Sequence, residues 1–419
     1  MMEWPVNLPI RPEEMSSLSA ATPTAVADVI VSGAGAAGLA ASIALARAGF
    51  SVICAGLIEP QGNGRTVALF EGSLRFLRQI GLLDQLSEGS QPVRAIRMVD
   101  DTSPFLPVPP IVLDAPEIGL DALGLNIETG RLVQTLANVA ASLPSITLPR
   151  SLLSEVEFSA TAVSVRDREG RLYRAKLLVA ADGRRSLGRE AAKIPVRTWR
   201  YRQVAITALL AHEKPHDGIS TEFHTRGGPC TLVPLQGTAD HPHRSSLVWL
   251  MPPEEADRRR ALDADAFASE LRQQTHDIAG RFTLEEPRGF FPMGGLRVNR
   301  LVGHRIVLIG EAAHAFPPLA AQGLNLTLRD IAQLLATLEA ARTKDEDFGT
   351  LPALVSYERG RRRDIALRTS GVDVLNRSIM TDFAPIDAIR GAGAIAVRLI
   401  GPLRRALMRE GILPAGPVV

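Results

Sequence analysis

Three separated segments carry residue types that could hold one large dinucleotide. The first, Gly33-Ala34-Gly35-Ala36-Ala37-Gly38, has GxGxxG spacing. Gly33 permits a tight turn, Gly35 lets backbone approach a pyrophosphate, and Gly38 lets a helix pack closely on a strand. Ala36 and Ala37 then offer first-turn N–H groups to phosphate oxygens. The second, Asp182-Gly183, is a common turn dipeptide whose value lies in its company. The third runs from Gly310-Glu311-Ala312-Ala313-His314 through Phe316-Pro317-Pro318 to Ala321-Gln322-Gly323-Leu324-Asn325-Leu326. Glu311 can accept from a polyol hydroxyl. The helix start near Gln322 to Asn325 can face a ring edge that becomes negative on reduction. A run this long is hard to explain by packing alone.

These segments need strands and helices to aim them. A β-branched run over 28–32 meets the glycine turn. A helical composition follows over 39–48, then an apolar run over 50–55, which is the opening of a βαβ unit. Residues 65–86 read as one helix striped by Leu69, Leu74, Leu77 and Leu82. Residues 104–116 are proline-rich and read as a loop or ribbon edge. A helix is expected over 131–142, and strands over 154–165 and 172–180. Residues 198–250 read as an antiparallel sheet, and 252–280 as a charged surface helix. A buried strand at 305–309 delivers Gly310, and a helix follows over 324–341. Proline-punctuated residues 1–25 read as an irregular extension, not a signal peptide.

Composition narrows the classes. The 419 residues are 46% hydrophobic and 22% charged, enough for two or three packed units. Lys plus Arg is 47 against 45 for Asp plus Glu, a net +2 that disfavours a dedicated nucleic-acid binder. Cys54 and Cys230 stand apart from any histidine cluster, so they read as reduced thiols, and no zinc spacing is present. No stretch has the roughly 20 apolar residues of a spanning helix. The tail combines Ile386, Ile389, Val397 and Ile400 with Arg390, Arg398, Arg404, Arg405 and Arg409. That pattern suits a helix docked on its own fold, or one touching an anionic membrane or a partner hydroxylase.

The order and spacing of the three segments resemble the group A FAD-dependent aromatic hydroxylases, the family of para-hydroxybenzoate hydroxylase. The nearer likeness is to the ubiquinone-biosynthesis hydroxylases of the UbiH/UbiF/Coq6 type. It is carried also by Gly64-Arg65-Thr66-Val67-Ala68-Leu69, by Arg329-Asp330, and by the tail segments Gly371-Val372-Asp373 and Gly401-Pro402-Leu403. The resemblance implies an α/β fold: a Rossmann-like FAD-binding domain interleaved with an antiparallel-sheet substrate domain, plus C-terminal helices. It assigns 26–80, 120–190 and 290–345 to the FAD part, 81–119 and 191–289 to the substrate part, and 346–419 to the helices. It implies FAD at Gly33, Gly35, Ala36, Ala37, Gly38, Arg65, Arg131, Asp182, Gly183, Gly310, Glu311, Pro318, Ala321, Gln322, Gly323, Leu324 and Asn325. NAD(P)H would be a transient reductant without a Rossmann domain of its own. Oxygen activated at the flavin would be transferred to the substrate ring. The implied location is cytoplasmic, with peripheral contact at the inner membrane as a variant.

Three functions stay open on this reading. One is hydroxylation of a polyprenyl phenol, the second hydroxylation of a small soluble aromatic, and the third a non-catalytic scaffold or lipid-binding accessory. No catalytic side chain is expected, because the cofactor carries the chemistry. His314 is the one candidate base, and its alternative role is packing against Phe316 and Pro317. The family's usual aspartate is Glu311 here, and usual glycines are Ala321 and Thr327. The acidic residue expected after the second strand is replaced by Gly56. Glu59 either substitutes for it or is a solvent-facing loop carboxylate.

Overall fold

The computed structural model describes residue 18 and residues 21–59, 64–102, 108–318, 321–379 and 384–414. Most of the expected N-terminal extension lies outside them. Ala25–Ser32 is the middle strand of an eight-stranded sheet. It runs parallel to Val52–Ala55 on one side and to Leu172–Ala180 on the other. Ile306–Leu308 extends the sheet in parallel beyond Leu172–Ala180. Val52–Ala55 is buried at every position, as expected of a strand covered on both faces. The helix Ala36–Arg47 lies against this sheet, its short side chains allowing close approach, with every position from Gly38 to Ala46 buried.

The register decides where the motifs emerge. Ser32 pairs with Ala180, and Ala180 pairs with Leu308. Three neighbouring parallel strands therefore end level, and each continues directly into one of the three segments. Ala181 N–H donates to Ser32 O at 2.8 Å, Ile309 N–H to Ala180 O at 3.1 Å, and Gly33 N–H to Ala55 O at 2.7 Å. The carboxyl edge of a parallel sheet is where such folds bind ligands.

A nine-stranded sheet forms the second layer, centred on the long strand Val196–His212 between Gly289–Val298 and Arg244–Met251. It is antiparallel except for Ile219–His224 beside Ala95–Asp100, which run parallel. One face presents Val204, Ile206, Ala208 and Leu210 to Phe267 and Leu271 of the helix Ala264–Gln274. The other face carries Ala205, Leu250 and Met293, with Val248 and Phe291 at its margin. The strand His314–Ala315 joins Leu296–Arg297, tying this sheet to the third segment.

Two expectations need correction, and the ribbon-edge alternative for the proline-rich stretch is the one observed. Residues 65–86 are not one helix. Thr66–Phe70 is a strand paired with Gly124–Glu128, and the helices Glu71–Gln79 and Leu83–Ser87 follow. A partner nearly sixty residues away overrides the helical stripe. Residues 252–280 form two helices, Pro253–Arg260 and Ala264–Gln274, and Phe267 and Leu271 of the second are core residues. Val108–Asp114 is a strand at the end of the nine-stranded order, where Pro109 and Pro110 break no ladder; residues 104–107 lie outside the described residues.

The C-terminal region is helical. Leu351–Ile379 spans from the first sheet to the second, and Ala384–Leu399 and Gly401–Ile412 follow. Met408 and Ile412 are buried against Phe70, Ala115, Ile118 and Leu123. Arg404 pairs with Glu117 at 2.7 Å, fixing the last helix to the fold. Leu403 and Leu407 of this helix are exposed, as are Leu399 and Ile400 just before it.

Candidate flavin site

The glycine turn is rigidly specified. Gly33 has φ +104°, a conformation L side chains rarely adopt. A Cβ on Gly38 would sit 1.8 Å from the carbonyl oxygen of Gly33, so strand end and helix start touch backbone to backbone. Gly35 is the opposite case, since a Cβ there would meet nothing within 4 Å. It caps the helix without any side-chain hydrogen bond. The amides of Ala36, Ala37 and Gly38 thus begin a helix on open space, the arrangement that accepts a phosphate.

Gly56 has a steric explanation. A Cβ there would lie 2.4 Å from Ala34 N and 3.1 Å from Ala34 Cβ. The second strand ends packed against the turn itself, so an acidic side chain at 56 does not fit this backbone. Glu59 is exposed at the rim of the same edge.

The second segment meets the first directly. Asp182 Oδ2 accepts from Ser32 Oγ at 3.1 Å and from Leu187 N–H at 2.9 Å. Its other oxygen, Oδ1, is buried without a partner, which is costly unless a ligand hydroxyl supplies one. Gly183 follows with φ +76° and open space around its Cα. Arg189, which sequence reasoning missed, donates to Ala312 O at 2.9 Å and to Arg184 O at 2.7 Å. Burial pulls its guanidinium below the usual arginine range. It locks the second segment onto the third.

Gly310 lies close to the first segment and to the helix that continues its own. A Cβ on it would be 3.1 Å from Thr327 Oγ1 and 3.7 Å from Ala37 Cβ. Glu311 points outward, its side chain 59% exposed, and forms a 3.5 Å pair with Arg184. Pro318 is exposed beyond it, and 319–320 lie outside the described residues.

The side chain of Asn325 is committed to the fold. Its amide Nδ2 donates to Ala68 O at 2.8 Å and to Ala321 O at 2.6 Å. Its Oδ1 accepts from Phe70 N–H at 2.9 Å and Ser73 Oγ at 2.6 Å. The side chain imitates a neighbouring strand along Thr66–Phe70, leaving only its backbone for a ligand. Gln322 Oε1 accepts from Arg368 at 3.0 Å, while Gly323 and Leu324 complete the first turn of the helix Gln322–Thr343. Arg65 is exposed, just before the strand Thr66–Phe70, with its guanidinium carbon 5.2 Å from the Phe291 ring of the second sheet. Arg131 is also exposed and lies over Gly89, at the far side of its helix start.

Ala321 caps that helix at φ +50°, left-handed backbone that disfavours alanine by about 1 kcal/mol. Ala321→Gly, which restores the family's usual residue, is expected to raise the thermal midpoint by about 1–2 °C in a melting experiment.

A family model described as an FAD binding domain matches residues 26–365. The chain belongs to that family. It is 36% identical over 402 residues to the ubiquinone hydroxylase UbiL of Rhodospirillum rubrum, covering 94% of this chain and 91% of that protein. It is 28% identical over 396 residues to the 3-demethoxyubiquinol 3-hydroxylase of Escherichia coli, covering 92% and 98%. The p-nitrophenol 4-monooxygenase PnpA from Pseudomonas putida shares its fold, with a TM-score of 0.77 at 17% identity over 94% of this chain and 100% of that one. The flavoprotein is thus an FAD-dependent monooxygenase of the para-hydroxybenzoate hydroxylase fold.

Behind the flavoprotein's third segment lies a buried ion network. His314, 2% exposed, places Nε2 2.7 Å from Asp330 Oδ2 and stacks on Phe316. The same oxygen accepts from Gly310 N–H at 3.1 Å. Asp330 Oδ1 accepts from Arg361 at 2.7 Å, and Arg361 pairs with Asp364 at 2.6 Å. Burial pushes the Asp330 carboxyl up, but the charges and hydrogen bonds of His314 and Arg361 outweigh it and hold it below its ordinary range. His314 is therefore a buttress of the Gly310 turn, turned away from solvent. Asp330 was visible only as part of a motif, and its partner Arg361 gave no sequence signal.

Proposed function

We propose that this flavoprotein hydroxylates the ring of a polyprenyl phenol in ubiquinone biosynthesis, with NAD(P)H as reductant and O2 as oxidant. The carrying observation is structural: three parallel strands end level and aim their segments at one edge. The ubiquinone hydroxylase names of its relatives support the substrate class. Gly33, Gly35, Ala36, Ala37 and Gly38 would hold the pyrophosphate, and Arg131 would lie toward the adenosine half. Asp182, Gly183, Gly310 and Glu311 would take the ribityl chain. Arg65, Pro318, Ala321, Gln322, Gly323, Leu324 and the Asn325 backbone would border the ring. FAD, when bound, supplies the redox and oxygen-transfer chemistry. The chain's own part is to orient the substrate against Ala205, Leu250 and Met293 and to keep water from that wall.

Among the described residues no helix is long and apolar enough to cross a membrane. The exposed Leu399, Ile400, Leu403 and Leu407 lie beside exposed Arg398 and Arg409. That pattern supports peripheral contact with an anionic bilayer, where a polyprenyl tail resides.

The test is NAD(P)H oxidation by the yellow, purified protein. A prenylphenol in detergent is expected to stimulate it at least about tenfold more than soluble hydroxybenzoates do. Stimulation by the hydroxybenzoates instead would move the substrate to the soluble class. A colourless protein that takes up no added FAD would overturn the enzyme reading altogether.

A further inference from the structure

The face of the second sheet turned away from its helices ends in a buried amide pair. Asn376 Nδ2 donates to Gln203 Oε1 at 2.9 Å, and the two residues are 2% and 3% exposed. Gln203 Nε2 and Asn376 Oδ1 are buried with no partner. Turning both amides over changes nothing in kind. One N–H group and one carbonyl oxygen are still left over. Buried polar atoms are normally satisfied, so a leftover donor beside a leftover acceptor asks for a ligand that is both.

The pair's position says which ligand. Val204 faces the helices, so strand alternation puts Gln203 on the side of Ala205, with Leu250 and Met293. Asn376 arrives on the helix Leu351–Ile379. Eight residues earlier the same helix sets Arg368 against Gln322, the first residue of the flavin-side helix. Eight residues span about 12 Å along a helix. An aromatic ring laid on the apolar wall would thus lie between the flavin-side helix and the amide pair. A ring hydroxyl both donates and accepts, matching the two free atoms.

We propose that the Gln203–Asn376 pair is the docking point for the ring hydroxyl of the substrate, accepting from it at one amide and donating to it at the other. This rests on the aromatic-hydroxylase reading above. It makes the pair a specificity determinant: rings bearing a hydroxyl dock, and matched rings without one leave both amides unsatisfied.

The experiment titrates FAD-loaded protein with 2-geranylphenol and with geranylbenzene in the same detergent, reading the flavin difference spectrum. Wild type is expected to bind the phenol at least about tenfold more tightly than the benzene. Gln203→Met and Asn376→Leu are expected to lose most of that preference by weakening the phenol alone. Should either variant fail to fold, Gln203→Glu keeps the bond from Asn376 and removes only the free donor. Variants that keep the wild-type preference overturn the proposal, as does a wild type that binds both ligands equally while still responding to them. A wild type whose spectrum responds to neither overturns the aromatic-hydroxylase reading, and the proposal with it.

Discussion

Gly38→Ala protein is expected to purify with less than about a tenth of the wild-type flavin, and to melt earlier. The added Cβ would lie 1.8 Å from Gly33 O and 2.9 Å from Gly33 C. Both are backbone atoms with no rotamer to change. Gly33 cannot retreat, because a Cβ drawn on it would itself lie 2.5 Å from Ala181 O, so the turn is already packed onto the second segment. The helix Ala36–Arg47 must lift off the strand, carrying the phosphate-facing amides with it. Gly35→Ala is the informative control. Its Cβ meets nothing in the protein, so the flavin-free melting point is expected to hold. FAD affinity is expected to fall by about tenfold or more, because that open space is where a pyrophosphate must approach. Absorbance of the purified protein and calorimetric titration of the flavin-free form separate the two effects. Equal flavin retention in Gly38→Ala and wild type would remove the glycine turn from the site.

The three segments are legible in the amino-acid sequence because each works through local backbone shape. Glycines at 33, 35 and 38 report a turn that no other residue type allows so well. That the segments meet follows from parallel strands ending level, and the two apolar runs leading into Gly33 and Gly310 are the local sign of it. What stays hidden depends on distant partners. Thr66–Phe70 is a strand because Gly124–Glu128 and the Asn325 amide bind its two edges. A separation of 255 positions between Phe70 and Asn325 leaves no periodic trace. Gly56 looks like the loss of an acidic ligand, yet Ala34 fills the space where its side chain would begin. Arg189 and Arg361 look like two of many arginines. Only the fold shows that one clasps Ala312 and the other neutralises Asp330. The scaffold alternative leans on Gly56 alone, and close packing explains that residue without any loss of flavin.

Asp330→Ala is expected to destabilise the protein by about 3–5 kcal/mol, the cost of stranding a buried counter-charge. It removes the acceptor of Arg361 and of His314, and frees the Gly310 N–H, all in a region with essentially no solvent. Flavin retention should fall with stability, because Gly310 begins the segment that faces the ribityl chain. The pH dependence has a definite sign. The folded Asp330 carboxyl lies below its ordinary value, so its stabilisation is fully present above the unfolded-state value of about 3.9. It is lost as pH falls through the lower folded value. The deficit of Asp330→Ala should therefore narrow as pH falls below about 4. Replacing both partners, as Asp330→Leu with Arg361→Met, should cost less than the sum of the single changes, because neither charge is then left alone. Denaturant melts of the four proteins across pH measure that coupling. Strict additivity, or a deficit that does not narrow below about pH 4, would mean that the carboxylate does not carry the network.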